Sequence, residues 1–441
     1  MFSFHVLTFG CKVNQYESQA QREKWLAAGG VECDAPEDAD LVLLATCAVT
    51  AEAVSDARQM ARKLGRIAPR ARLVVTGCAA SAAPKDFDLP SIAALVPQTS
   101  RAQLLGTDPR VLLERAGSLI LTAEKYAGHR EYPPFHIESF RRARPVLKVQ
   151  DGCSHRCTYC IVPFTRGPSC SRKPGAVVEE AGRLLRAGHR ELMISGVNLR
   201  QYHAEGMNFW GLLRLLDSSL SSEWAGQARL RLSSLEPAQL TAEGVETLAA
   251  CRMLCPHLHL SLQSGSPAVL ARMGREHYAL EQVEEAITQI RGFWPEFGLG
   301  ADILMGFPGE SEEETRETIR MVERLPFTYA HVFPYSIRPG TKAASMPGQL
   351  PKALRQEHAA RVREVIRSKQ EVFLSRQAKR SVMLIAFDGS GGVHGLNEYY
   401  ASCELTTASP LPLGHELLAA RPVGYGEGRI LVELVTEGEL T

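Results

Sequence analysis

The chain has 441 residues, enough for two or three domains that each bury a core, and its 45% hydrophobic and 22% charged content is that of an ordinary soluble globular protein. The formal charge of +1 excludes a global basic excess, so any nucleic-acid surface must be a local patch. No apolar run is long enough to span a bilayer, and Met1-Phe2-Ser3-Phe4-His5 lacks the charged and apolar regions of an export signal, so a cytoplasmic chain with no membrane partner is expected. Eleven cysteines in such a chain point to metal ligation rather than disulfides.

The first part alternates strand and helix signals. Residues 5–9, 40–46 and 72–76 read as strands, and residues 15–28 and 51–67 as helices, the first closed by Gly29-Gly30 and the second capped near Thr50. Repeated strand–helix–strand units imply a parallel sheet. Cys11, Cys47 and Cys78 each fall just after one of the three strands. Ligands of open parallel sheets bind beyond the carboxyl ends of the strands, so the three thiols are expected to meet at one edge. One such cysteine would read as a buried residue; three in the same position read as a three-thiolate iron cluster.

Residues 100–144 carry weaker signals, and Tyr132-Pro133-Pro134 and Arg141-Arg142-Ala143-Arg144-Pro145 look like a linker. Six strands follow at residues 146–150, 191–195, 228–233, 258–262, 300–305 and 331–335. Helical stretches such as 176–187 and 280–291 separate most of them, which predicts an open six-strand βα barrel. Residues 351–380 form a long helical pattern rich in Lys and Arg. The tail from 381 onward is a small β module, with strands at 382–385 and 429–434, a turn at 389–395, and Tyr399, Tyr400 and Tyr425 as candidate stacking platforms.

The densest signal lies just after the first barrel strand, where Cys153, Cys157 and Cys160 are spaced C-x3-C-x2-C. Three thiolates hold three corners of a four-iron cluster and leave the fourth iron open. The amino and carboxylate groups of S-adenosylmethionine suit that open iron, and one electron then splits the cofactor into methionine and a 5'-deoxyadenosyl radical. A zinc knuckle would need a fourth ligand at zinc spacing, and His155 sits between the thiols. A site after a barrel strand lies at the mouth where βα barrels keep their active sites. Cys33, Cys170, Cys251, Cys255 and Cys403 are left over; the Cys251 and Cys255 pair lacks further thiols and reads as buried or incidental, and His257 and His259 share one strand face and read as barrel lining.

With these stretches in order, the chain resembles the methylthiotransferase family of the radical S-adenosylmethionine superfamily. The matching stretches are Gly152-Cys153 to Cys160, Pro163-Phe164-Thr165-Arg166-Gly167, Ser195-Gly196-Val197-Asn198, Leu232 to Pro237, His257 to Gly265, Gly306-Phe307-Pro308-Gly309-Glu310 and Phe333-Pro334-Tyr335-Ser336. The segment Gly10-Cys11-Lys12-Val13-Asn14-Gln15-Tyr16-Glu17-Ser18 looks like the branch that acts on N6-threonylcarbamoyladenosine beside tRNA anticodons and adds a methylthio group at C2 of the base. Rival readings are the branches acting on isopentenyladenosine in tRNA or on a ribosomal-protein aspartate, and a non-catalytic iron–sulfur RNA-binding protein.

The resemblance implies a fold of three parts: an α/β auxiliary-cluster domain over 1–135, a radical barrel over 145–375, and a β-barrel similar to a TRAM domain over 378–441. It implies two [4Fe–4S] clusters, one on Cys153, Cys157 and Cys160 for radical generation and one on Cys11, Cys47 and Cys78 for sulfur insertion. It implies S-adenosylmethionine near Tyr159, Gly196, Asn198, Gln263 and Gly306. The implied partners are a tRNA anticodon stem-loop and an electron donor such as flavodoxin or ferredoxin. Three places depart from the family's pattern: Ala45 where it has Asn, Ser81 where it has Gln, and Val96-Pro97-Gln98 where it has Gly-Asn.

Overall fold

The computed structural model describes residues 1–114, 119–121, 130–387, 393–406 and 416–435. Most of the expected turn at 389–395, residues 389–392, lies outside them. The chain forms two compact units, each assembled from separate stretches. The first takes Met1–Glu138, Gln150–Arg172 and Ser336–Ala344; the second takes Ser139–Val149, Lys173–Tyr335 and Ser345–Thr441.

The first unit is built on a parallel sheet ordered β2-β1-β3-β4-β5-β6. Its strands are β1 (Phe2–Thr8), β2 (Gly30–Glu32), β3 (Leu41–Thr46), β4 (Arg72–Gly77), β5 (Ile92–Pro97) and β6 (Leu119–Ile120). Alternating side chains meet a core on both faces of the sheet, which is why β3 is buried at every position and apolar up to Thr46. Val42 and Leu44 join Val54, Ala57, Ala61 and Leu64 of the helix Ala51–Ile67 on one face. Leu41 and Leu43 join Phe4, Trp25 and Val74 on the other. Thr50 caps the helix Ala51–Ile67, its Oγ1 accepting from the Ala53 N–H at 3.1 Å. The expected strands at 5–9, 40–46 and 72–76 are β1, β3 and β4. Unforeseen were β2, which is only three residues long, and β5, an Ala-rich apolar run that reads equally as helix.

In the second unit, β7 (Val146–Lys148), β8 (Glu191–Ser195) and β9 (Arg229–Leu232) pair in the order β9-β8-β7. A further parallel set, β10 (Ser234–Leu235), β11 (His257–Gln263), β12 (Gly298–Met305) and β13 (Tyr329–Pro334), pairs in sequence order. These are the six expected barrel strands, the third broken at Ser233, whose N–H donates to the Ile194 carbonyl at 3.0 Å. His257 and His259 lie on the polar face of β11, opposite Leu258, Leu260 and Leu262. Both rings meet the Tyr329 hydroxyl, at 2.8 and 2.9 Å, and His259 Nε2 lies 3.1 Å from Asp302.

The tail closes into a five-strand barrel, β14 (Met383–Phe387), β15 (His394–Leu396), β16 (Ser402–Leu405), β17 (Leu417–Gly426) and β18 (Arg429–Leu434), ordered β14-β15-β16-β18-β17. Its core, including Ile385, Cys403, Ile430 and Val432, also takes Phe373 and Leu374 from the long helix Lys352–Gln377. Much of that helix's charge is spent inside the unit: Arg361 pairs with Glu312, Arg367 with Glu364, and Arg363 donates to the Val332 carbonyl. Among the described residues no helix is long and apolar enough to cross a membrane.

Candidate metal centres

Cys11 is the N-cap of the helix Lys12–Ala27, Cys47 follows β3 directly, and Cys78 opens the short helix Cys78–Ala82 after β4. Backbone contacts draw these three strand ends together. The Phe9 N–H donates to the Ala45 carbonyl at 2.8 Å, and the Thr46 hydroxyl donates to the Thr76 carbonyl at 2.6 Å. Asn14, buried on the first helix, donates through its amide to the carbonyls of Phe9 and Thr46. Two glycines with left-handed backbone permit the approach. A Cβ on Gly10 (φ 101°) would stand 2.5 Å from Cys47 Cβ, and one on Gly77 (φ 103°) 2.3 Å from the Thr46 carbonyl oxygen. The sheet thus brings the predicted trio to one edge.

Gly77→Ala is expected to separate Thr46 from Cys78, because the obstructing atoms are backbone and cannot rotate away. The strain costs about 1–3 kcal/mol. Reconstituted protein should lose iron from this site, read by iron and sulfide analysis, while the metal-free melting temperature also falls.

The trio is tied to the other cysteine loop by a buried charge network. Glu17 accepts from Arg101 at 2.8 Å, from Arg166 at 2.9 Å and from the Gln98 amide at 2.9 Å. Arg166 also donates to Asp151 at 2.8 Å, and Arg130 reaches the second Asp151 oxygen at 3.0 Å. Among the described residues, three guanidinium groups meet these two carboxylates. Burial disfavours the Arg166 cation, but Glu17, Cys78 and Asp151 outweigh it and raise its pKa. Burial pushes the Cys78 thiol up to about 11; Arg166 opposes that shift, and Cys11 and Cys47 reinforce it. Burial likewise raises Cys47. Such thiols are protonated without metal, and a metal cluster would displace the protons. Of the positions that depart from the family pattern, Ser81 accepts from the Gln98 N–H at 2.7 Å, so Ser81 and Gln98 both support this network.

Cys153, Cys157 and Cys160 follow the ribbon in which Gln150–Asp151 pairs with Cys170–Ser171. Gly152 (φ 68°) is required at the turn, since a Cβ there would stand 2.1 Å from the Pro168 carbonyl oxygen. The Gln150 amide donates to the carbonyls of Asp151 and Gly152 and to the Ser169 hydroxyl, and Cys160 N–H donates to the Cys157 carbonyl at 3.0 Å. The three thiols line a cavity of about 660 Å³ together with Phe164, Thr341 and Lys342. The segment Ser336–Ala344 closes over both loops of the first unit. Ser336 Oγ accepts from the Ala51 N–H at 3.1 Å, four residues past Cys47, and the Ala343 N–H donates to the Thr158 carbonyl at 2.7 Å.

The donor sets fit iron–sulfur clusters. Each is three thiols with no disulfide. Among the described residues, neither trio is one of the groups whose ligand atoms all lie within 4.8 Å of one another, the closeness a single ion needs. A cluster spreads its thiolates over separate irons.

The predicted cofactor residues are placed as follows. Tyr159 lies half-buried in the three-cysteine loop. In the second unit, Gly196 follows β8, and the buried Asn198 caps the turn Leu199–Gln201 by accepting from the Arg200 N–H at 3.1 Å. Gln263 ends β11 with φ 70°. Gly306 follows β12, donates to Glu310 at 3.1 Å and packs against Arg355, where a Cβ would stand 2.4 Å from the Arg355 side chain. Cys251, half-buried, and Cys255, buried, are free thiols that desolvation pushes up to about 12 and about 11. Tyr400 stacks on His257 with 4.6 Å between centroids, and Tyr399 lies under Arg380 at 4.4 Å, so both serve internal packing; Tyr425 is exposed. Sequence reasoning missed Glu17 and Asp151, which the buried charge network joins to the two cysteine loops. Their only signal is a charged side chain a few positions from a cysteine motif.

Comparison with known proteins agrees with this architecture. Residues 147–322 match the Radical SAM superfamily, and residues 3–94 match the uncharacterized protein family UPF0004. The tryptophan-binding radical S-adenosylmethionine methyltransferase TsrM from Kitasatospora setae shares the fold, with a TM-score of 0.55 at 16% identity over 78% of this chain and 74% of that one. The chain belongs to the radical S-adenosylmethionine methylthiotransferase family, on its MtaB-like branch. It is accordingly an enzyme whose cofactors are S-adenosylmethionine and [4Fe–4S] clusters. Its relatives include the threonylcarbamoyladenosine tRNA methylthiotransferase MtaB of Bacillus subtilis, 35% identical over 82% of this chain and 79% of that one. The same-named proteins of Chlamydia pneumoniae and Thermotoga maritima are 33% and 31% identical, covering 87% and 92% of this chain and 86% and 91% of theirs.

Proposed function

We propose that the chain inserts a methylthio group at C2 of N6-threonylcarbamoyladenosine beside the tRNA anticodon, working in the cytoplasm with electrons from a flavodoxin- or ferredoxin-class donor. The observation that carries this reading is the pair of three-thiol sites within one compact unit, in a chain whose relatives bear the threonylcarbamoyladenosine name. When bound, the clusters and S-adenosylmethionine supply the electron, the carbon radical and the sulfur. That chemistry is needed because no side-chain base removes an aromatic C2–H proton at neutral pH.

The chain's own residues then have defined tasks. Cys153, Cys157 and Cys160 hold the radical-generating cluster, and Cys11, Cys47 and Cys78 hold the auxiliary one. Tyr159, Gly196, Asn198, Gln263 and Gly306 contact S-adenosylmethionine. Residues 1–135 serve the auxiliary cluster, 145–375 the radical chemistry, and 378–441 the tRNA. The Glu17–Arg166–Asp151 network holds the two cysteine loops in fixed register and lends both a compensating positive charge.

The test is reconstituted, reduced protein with S-adenosylmethionine and an anticodon stem-loop, followed by nucleoside mass spectrometry. The 2-methylthio product should form on RNA carrying the threonylcarbamoyl group and not on an unmodified transcript or on isopentenyladenosine RNA. Product on isopentenyladenosine alone would reverse the substrate assignment.

A further inference from the structure

We propose that Arg338 is the counter-charge for an anionic sulfur ligand, a hydrosulfide or methanethiolate, held at the Cys11–Cys47–Cys78 site; this rests on the two-cluster reading above. Arg338 is 6% exposed. Among the described residues its guanidinium has no carboxylate partner, and its buried Nε has no acceptor. The other buried arginines of this unit have partners: Arg101 meets Glu17, Arg130 meets Asp151, Arg166 meets both carboxylates, and Arg172 donates to the Tyr16 hydroxyl at 3.3 Å. A buried guanidinium nitrogen without an acceptor, on a side chain with no carboxylate partner, is costly and suits an anion that arrives from outside the chain.

Its position says which anion. Arg338 lies on the segment Ser336–Ala344, whose ends are fixed to the Cys47 loop through Ser336 and to the Cys157 loop through Ala343. The Thr341 N–H and hydroxyl both donate to the Arg338 carbonyl, at 3.1 and 2.7 Å, and hold the turn that presents the side chain. Cys47 is the titratable neighbour of its guanidinium. A cluster held by three thiolates already carries the charge that Arg166 and its partners balance. One more thiolate-class sulfur at that site would add a negative charge, and among the described buried arginines of this unit Arg338 is the one whose side chain has no hydrogen-bond or ion-pair partner.

The experiment uses the full chain reconstituted with both clusters, comparing wild type with Arg338→Met and Arg338→Lys. Iron and sulfide content, cleavage of S-adenosylmethionine without RNA, and a methanethiolate titration followed by electron paramagnetic resonance are measured on each. Loss of one charge-assisted contact should weaken methanethiolate binding by about tenfold or more in Arg338→Met. Iron content and cofactor cleavage should stay at wild-type levels, and Arg338→Lys should recover part of the affinity. Equal methanethiolate binding in wild type and Arg338→Met overturns the proposal. So does loss of iron in Arg338→Met, which would make the residue structural. Weakened binding only of threonylcarbamoyladenosine RNA would assign the charge to the substrate carboxylate and also overturn it. A wild-type protein with a single cluster would instead sink the two-cluster reading, so the two failures are distinct.

Discussion

Cys157→Ala is expected to abolish reductive cleavage of S-adenosylmethionine, whereas Cys47→Ala is expected to retain cleavage and lose sulfur insertion. The asymmetry follows from which loop each thiol serves. Cys157 lies at the centre of the three-cysteine loop and lines its cavity beside Cys153 and Cys160. Its removal leaves two thiols where three hold a cluster. Cys47 lies at the end of β3, packed against Gly10. Its loss disrupts the other trio and leaves the Gln150 and Gly152 contacts of the first loop intact. Counting 5'-deoxyadenosine and methylthiolated nucleoside in the same reaction separates the two outcomes. Methylthiolated product from Cys47→Ala would show that the trio is not the sulfur-handling site.

Glu191→Ala produces the largest stability loss expected in the second unit. Glu191 is fully buried and receives Arg229 at 2.6 Å and Arg231 at 2.6 Å. Arg231, also fully buried, donates onward to the carbonyls of Asn397 and Glu398, and Arg229 to those of Leu384 and Leu396. One carboxylate therefore holds the two cations through which the β8–β9 strands grip the small barrel. Removing it strands a buried guanidinium and costs about 3–5 kcal/mol, read as a lower urea midpoint at neutral pH. Burial alone would raise the Glu191 pKa, but Arg229 and Arg231 overrule it and hold the carboxyl well below the usual range. The contribution is thus present above the unfolded value of about 4.3 and is lost as pH falls through the depressed folded value. Wild type should lose stability on acidification below about pH 4 more steeply than Glu191→Ala.

The six cysteines proposed as cluster ligands were legible because their signal is local. Three follow apolar runs that end at a sheet edge, and three sit within one short loop. The barrel strands were legible for the same reason, as buried runs at βα spacing. The charge network was not, because its members meet only in space. Glu17 and Arg166 are 149 positions apart, and each alone reads as a surface residue. Arg338 was missed likewise, since nothing in Ile337-Arg338-Pro339 announces burial. Tyr399 and Tyr400 misled in the opposite sense: aromatic residues in a β tail look ready to stack on bases, yet the tertiary fold engages them with Arg380 and His257.

The first unit draws its last piece, Ser336–Ala344, from after the whole run of barrel strands. During synthesis, residues 1–138 emerge with Glu17 and Arg101 but without Asp151, Arg166 or the covering segment. The ribosome must therefore deliver more than three quarters of the polypeptide before Ser336 and Ala343 can reach the two thiol loops, so chains truncated before that segment are expected to hold iron less well than the full chain.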